Sequence, residues 1–382
     1  MKYKIPSPAV LIIALFIFPA CNDHHHKPDL PEFPVQVASI PLPTIPFQPE
    51  KYECLLASSE IVIDGKMEEE AWEKAQWTKT FTDIEGPSKP KPRFDTRVKM
   101  LWDSNYFYIA AKLEEPHVWG KLKQRDTILF HDNDFEVFID PDGDTHQYYE
   151  IEINTLGTLF DLMLVKPYRD GGPAIISWDA PLMQSAVHID GTLNDRSDED
   201  EGWSVEMAIP WKYINDTRSR PKHPNEGDLW RVNFSRVEYE LEEGLDRYHR
   251  KKNSEGKRLP EANWVWSPQG VINMHYPEMW GFVKFMNGQE ALTDTFDLPE
   301  AEEAKWALRM LYYNQRIYAA NNGRYSADPG LIGADSLKYF RKAGMPEIYL
   351  FPKGYEIQVK VTETGNIAWI RNDSETGFRK ND

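Results

Sequence analysis

The stretch NDFEVFIDPDGDTHQYYEIEINTLG (133–157) holds a dense run of side chains able to do chemistry. Asp134 and Glu136 alternate before a turn rich in Asp, Pro and Gly, and Glu150 and Glu152 alternate after it. Alternate residues of a strand share a face. Phe135, Val137 and Ile139 therefore turn to a core, and Asp134, Glu136 and Phe138 turn the other way. On the return strand Tyr149, Ile151 and Ile153 alternate with Glu150, Glu152 and Asn154. Such a face could hold a catalytic pair, metal ligands, acceptors for sugar hydroxyls, or plain solvated acids. A glycoside hydrolase needs two carboxyls about 5–5.5 Å apart for retention or about 6.5–9.5 Å for inversion. Same-face neighbours on a strand stand about 6.5–7 Å apart, so the spacing permits cleavage of O-glycosyl bonds. Hydrolysis also needs a pocket that raises one pKa, and the sequence shows none.

The turn DPDGD places Asp140, Asp142 and Asp144 at alternating positions around Gly143. These hard oxygens could ligate calcium, although the downstream Glu of a full EF-hand loop is missing; the other reading is an acidic hairpin turn. The HHH tract at 24–26 is a second metal candidate, or simply a solvated linker. Three aromatic stretches could offer rings for stacking on sugar: SWDAP with Trp178, NWVWSP with Trp264 and Trp266, and MHYPEMW with His275, Tyr276 and Trp280. One wall of a glycan site is expected from Trp266 with Trp264 or Trp280, and the other from Phe130 and Glu136. The Met274–His275 pair suggests haem ligation, but neighbours on a strand point to opposite faces. No phosphate-binding glycine loop, Gly-x-Ser-x-Gly elbow or His-Glu-x-x-His helix is present.

These residues need a frame. From about residue 55 to 286 roughly ten short alternating stretches are separated by turn signals and little helix. TRVKMLWD, for example, puts Val98, Met100 and Trp102 on one face. This predicts a mainly β protein built on an antiparallel sandwich over 51–290. Residues 291–382 change pattern: a helix over 296–323, capped by Asp297 and stopped by Gly323, then three alternating segments. They predict a small α+β appendage, and the NNGRYS step resembles the globular part of pilin-like proteins. The formal charge of −17 argues against nucleic acid as a partner, since phosphate binding needs a basic footprint. With Cys21 taken up by the N-terminal address, Cys54 remains alone, so no intrachain disulfide framework is expected.

The N-terminus reads as an address. Lys2 and Lys4 precede the apolar run AVLIIALFIF, which closes at PAC. It resembles a bacterial lipoprotein signal over 1–20, with Cys21 lipidated after cleavage and residues 21–50 a Pro-rich tether. Such an address implies a cell-envelope protein anchored to a bacterial membrane, the outer one by expectation, beside other glycan-uptake proteins.

The β region resembles the family 9 carbohydrate-binding modules, within the DOMON-like, jelly-roll sandwiches. IVIDGKMEEEAW, VKMLWDSNYFYIAAKLEEP, DNDFEVFIDPDGD, YEIEINTLG, GWSVEMAIPW and PEMWGFVKF occur in the family's order. The resemblance implies a non-catalytic sandwich that binds poly- or oligosaccharide and often calcium. It also implies two tryptophans clamping a sugar ring, whose positions fall here on Phe130 and Met274. The family's strand glutamate is kept as Glu136, while its arginine on the next strand falls on Glu152.

Overall fold

The computed structural model describes residues 35–214, 223–242, 248–288 and 296–381. The signal stretch, Cys21 and the HHH tract lie outside them. The β region runs β1 (Lys51–Leu56), the short helix α1 (Glu70–Lys74), β2 (Thr82–Asp83), β3 (Thr96–Trp102) and β4 (Tyr106–Glu114). It continues with β5 (Asp134–Asp140), β6 (Tyr148–Asn154), β7 (Leu159–Leu164), β8 (Ala174–Ile175) and β9 (Gln184–Asp190). β10 (Gly202–Pro210), β11 (Leu229–Glu238), β12 (Ala262–Val265) and β13 (Gly281–Met286) complete it. The C-terminal part holds the helices α2 (Glu300–Asn322) and α3 (Lys338–Ala343). Four strands follow: β14 (Glu347–Phe351), β15 (Gly354–Lys360), β16 (Ile367–Arg371) and β17 (Thr376–Arg379).

The molecule is mainly β and sandwich-like, as the alternation predicts. Its two halves are joined in one hydrogen-bonded sheet, in the order β8-β7-β6-β5-β11-β13-β1-β3-β4-β10-β9. β12 hangs on β11, and β2 on β12. β1 is the seam, and it runs parallel to both of its neighbours, β13 and β3; the other ladders are antiparallel. Between the halves lies one core. Val98, Met100, Trp102, Val205 and Met207 supply one side of it, and Phe135, Val137, Ile139, Ile151 and Phe234 the other. Gly281 shows how tightly it is packed, since a Cβ there would stand 2.4 Å from the Trp266 ring.

The register puts the acidic hairpin where the alternation expects. Phe135, Val137 and Ile139 enter the core, and Glu136 lies directly across from Glu152 on β6 and Ser235 on β11. The opposite face of β5, β6 and β7 is not open to water. Phe138, Tyr148, Phe160, Leu162 and Leu164 build a second apolar cluster there, closed by Leu129 and Trp280.

α2 begins at Glu300 rather than 296, because Pro299 occupies the N-cap in an extended conformation; Asp297 lies outside the helix and no side chain caps it. Gly323 ends it at φ +67, donating its N–H to Ala319 O at 2.8 Å. One face of α2 carries Ala304, Leu308 and Leu311 against the small sheet β14-β15-β16-β17. Another carries Glu302, Lys305, Arg309 and Arg316, which are buried against the sandwich. Arg231 reaches Glu302 at 3.3 Å, Lys305 donates to Gly143 O at 2.8 Å, and Arg316 donates to Asp170 at 2.7 Å.

Residues 35–50, read from sequence as the end of a tether, form no strand but lie against the protein. Val35 N–H donates to Gly323 O, Tyr276 Oη donates to Pro41 O, and Thr44 N–H donates to Gly270 O. Phe47 stacks on Trp306 at 4.2 Å.

Candidate functional site

The acids of the opening stretch converge. Asp134, Glu136, Glu150 and Glu152 lie on the face of β5 and β6 turned away from the main core, and all four are buried. One carboxylate oxygen from each of Asp134, Glu136 and Glu152 falls within 4.8 Å of the others. Both oxygens of Asp134, which is 0% exposed, and Oε2 of Glu152, 3% exposed, meet no donor of hydrogen-bond geometry. Among the described residues no Lys or Arg pairs with any of the four. Burial, reinforced by the neighbouring carboxylates, pushes Asp134, Glu150 and Glu152 well above the usual acid range. Burial and Glu261 bring Glu136 up to about 7.

Two exposed rings stand beside this cluster. Phe130, 37% exposed, rides on the turn Leu129–His131 that leads into β5. Its carbonyl is held by the Tyr239 hydroxyl at 2.8 Å. Tyr168, 46% exposed, rides on the turn after β7 and packs edge-on against His275 at 4.5 Å. Burial and then the charges of Glu150 and Glu152 push the Tyr168 hydroxyl up to about 12. The sequence marked Phe130 through the resemblance but missed Tyr168. An isolated Tyr in KPYRDGG has no periodic signal, and only the fold brings it back over β6.

The expected tryptophans lie elsewhere. Trp264 (4% exposed) and Trp266 (2%) do share a face, but it is the core face between the sheet halves. Trp178 is buried in the same core, tilted on Tyr149 at 4.8 Å. Trp280 is fully buried on the acid side of the sheet, where it closes the second cluster, edge-on to Tyr148 at 5.2 Å. A ring with so little accessible area cannot stack on a sugar, so these four are corrected to core residues. His275 is half-buried, its Nδ1 3.0 Å from the Tyr148 hydroxyl. It packs against Phe138, Tyr148 and Tyr168. This makes it a support for Tyr168.

Asp140, Asp142 and Asp144 also converge within 4.8 Å, as their spacing expects. The turn itself uses them: Asp140 accepts from Gly143 N–H and Thr145 N–H, and Asp144 accepts from His146 N–H. Positive charge is already present, with Arg231 acting on Asp140 and Lys305 on the Gly143 carbonyl. The turn is clamped from outside by Thr376 N–H on Asp144 O and by Thr145 Oγ1 on Ser374 O. This suits a structural latch between the sandwich and the β16–β17 hairpin.

The four carboxylates are shifted in the same direction. Glycoside cleavage needs two acids whose pKa values are driven apart, one protonated and one ionised. Here burial raises all four together. What the face offers is a set of carboxylate oxygens near Phe130 and Tyr168.

Residues 63–254 match the model described as carbohydrate family 9 binding domain-like. The exoglucanase XynX of Acetivibrio thermocellus is 25% identical over 154 residues, which are 40% of this chain and 12% of that protein. Endo-1,4-beta-xylanase A of Thermoanaerobacterium saccharolyticum is 25% identical over 154 residues, 40% of this chain and 11% of that one. The chain thus spans about an eighth or less of these enzymes. Among solved structures, a family 9 carbohydrate-binding module from Caldicellulosiruptor kristjanssonii in complex with cellotriose is 14% identical. It covers 65% of this chain and all of its own, at a TM-score of 0.39. The matched family is one of non-catalytic modules, and its model takes in just over half of the 382 residues: this chain belongs to the carbohydrate family 9 binding domain-like proteins.

Proposed function

We propose that the chain binds a poly- or oligosaccharide without cleaving it, with the exposed rings of Phe130 and Tyr168 as its contacts, beside the largely buried carboxylates of β5 and β6. One observation carries the reading: two exposed rings flank the cluster formed by Asp134, Glu136, Glu150 and Glu152. A sugar ring has an apolar face and a rim of hydroxyls. Aromatic side chains cover the first, and carboxylate oxygens accept from the second. Family membership supports sugar as the ligand. With Phe130 and Tyr168 as the rings, the grip differs from a tryptophan clamp, and its sugar preference belongs to this chain.

The basic, apolar and small-residue pattern ending at Cys21 supports a lipid-anchored protein of the bacterial cell envelope, displayed on the outer membrane beside glycan-uptake partners. Replacing Cys21 by Ser is expected to release the protein from membranes or leave an uncleaved precursor. Unchanged mass and membrane partition would refute the anchor.

The binding reading is tested by titrating the full chain with a panel of plant oligosaccharides while following reducing-end release. Saturable binding without release is expected. Phe130→Ala and Tyr168→Ala should each weaken binding about tenfold, the effect of roughly 1.4 kcal/mol of lost ring contact. Their melting temperatures should stay near the wild-type value, because both rings are exposed. Wild-type affinity in both variants would overturn the placement.

A further inference from the structure

A cleft of about 540 Å³ opens between the segment 48–53 at the start of β1, the loop 76–79 and Phe296. Small-ligand sites lie in a range of about 300–1,000 Å³, so its size suits one. Neither Phe130, Tyr168 nor Met274 lines it. Trp77 stands on one wall and is 37% exposed, whereas Trp178, Trp264, Trp266 and Trp280 are buried. The Lys99 ammonium lies 4.8 Å and the Arg97 guanidinium 5.6 Å from the centre of the Trp77 ring, which holds the ring without hiding it. The walls are built in advance. The Tyr52 hydroxyl donates to Gln76 O at 2.7 Å, Thr78 N–H donates to Val98 O at 2.8 Å, and Thr78 Oγ1 accepts from Val98 N–H at 3.0 Å. The loop is thereby stitched to β1 and β3. On the other wall Lys51 Nζ donates to Phe296 O at 2.6 Å.

We propose that this cleft is a second ligand site, which takes the end of a neutral oligosaccharide. Its own lining selects that class. The exposed Trp77 ring suits the apolar face of a sugar. The charges around it balance, Lys51 and Lys79 against Glu50 and Glu53, and Lys79 stands 2.9 Å from Glu50. A cleft lined by one sign of charge concentrates ligands of the other sign, and this one has no such bias. Gln48 and Gln76, both exposed, add amides that donate and accept alike. Sugar hydroxyls also do both, so amides and a paired cation and carboxylate meet them without selecting for charge. The site stands whether or not Phe130 and Tyr168 bind sugar, because neither contributes to it.

The test titrates the full chain by calorimetry with cellotriose, xylotriose and trigalacturonate. A double variant, Phe130→Ala with Tyr168→Ala, isolates the cleft. It should still bind one equivalent of a neutral trisaccharide, and adding either Trp77→Ala or Gln76→Arg should weaken that binding about tenfold or more. Gln76→Arg fills the cleft with a long side chain and keeps the backbone carbonyl that Tyr52 uses. Melting temperatures should stay near that of the double variant, because both side chains are exposed. Three results would overturn the assignment. The first is a double variant that binds neither neutral sugar; if the wild type binds one, the Phe130 and Tyr168 surface stands and the cleft does not. The second is residual binding that survives both Trp77→Ala and Gln76→Arg. The third is tighter binding of trigalacturonate than of either neutral sugar, which makes the class wrong. Binding equal in the wild type and the double variant, but lost with Trp77→Ala and Gln76→Arg, would place the sugar here alone. Should Trp77→Ala unfold because Arg97 and Lys99 lose their cover, Gln76→Arg decides.

Discussion

His275 shows how one half-buried side chain sets a pH response. Burial, with Arg169 nearby, lowers its pKa to about 3, so it stays neutral in the folded protein. The unfolded chain protonates it near 6.5. Between those values the unfolded state holds more protons, and stability falls as pH drops from about 6.5 towards about 3. The raised carboxylates work in the opposite direction, so the wild-type profile alone mixes the two. The difference between wild type and His275→Gln isolates the histidine. Urea unfolding at about pH 7 and about pH 5 should show a smaller acid loss in the variant; parallel losses would mean that His275 is not held neutral. At this scale the sequence was legible in part. Asp134, Glu136 and Glu152 share a face because a strand alternates, and that needs no structure. Their burial depends on what covers the face, and the covering residues Leu129, Tyr168 and Trp280 come from three separate segments. The tryptophans misled for the same reason. Ring spacing fixes a shared face, but cannot say whether that face meets water or β3 and β4.

Among the elements, α2 departs most from what its sequence suggests. Glu302, Lys305, Arg309 and Arg316 recur at helical spacing, a pattern that ordinarily marks a solvated face. Instead they enter a buried polar seam with Arg169, Arg231, Asp170 and Glu278. Glu278 sits at its centre, 2.8 Å from Arg169 and also accepting from the Tyr313 hydroxyl. Burial alone would raise its carboxyl, but Arg169 and Arg309 hold it below the usual range. Removing one member of such a seam strands the others without a partner, so Glu278→Ala is expected to cost about 3–5 kcal/mol in chemical unfolding. A loss below about 1 kcal/mol would show the seam to be wet and loosely held. The apolar half of α2 was legible from Leu308 and Leu311, and its end from Gly323. Its start was not, because Pro299 moves the first turn past Asp297. Nor was the docking, since side-chain type does not tell a buried charge from an exposed one.

For the molecule as a whole, the alternating pattern and turn spacing made the β class and the change of character near residue 290 readable. The join between sheet halves was not. β1 reads as one short strand among many, and nothing local marks it as the seam between β13 and β3. That position has a consequence for how the chain reaches its final form. Lys51 pairs with Phe282, and Leu55 with Leu101, so one ladder of β1 closes a short loop and the other a very long one. Closing a long loop costs more chain entropy and is slower. During synthesis β1 can meet β3 early, but must wait for nearly three quarters of the chain before β13 exists. Until then its second edge offers unpaired N–H and C=O groups to any neighbouring strand. The segment at 35–50 waits longer still, since Val35 bonds Gly323 and Phe47 stacks on Trp306. The opening part of the described chain is thus completed by parts made near its end, so folding is expected to close late and in concert rather than strand by strand.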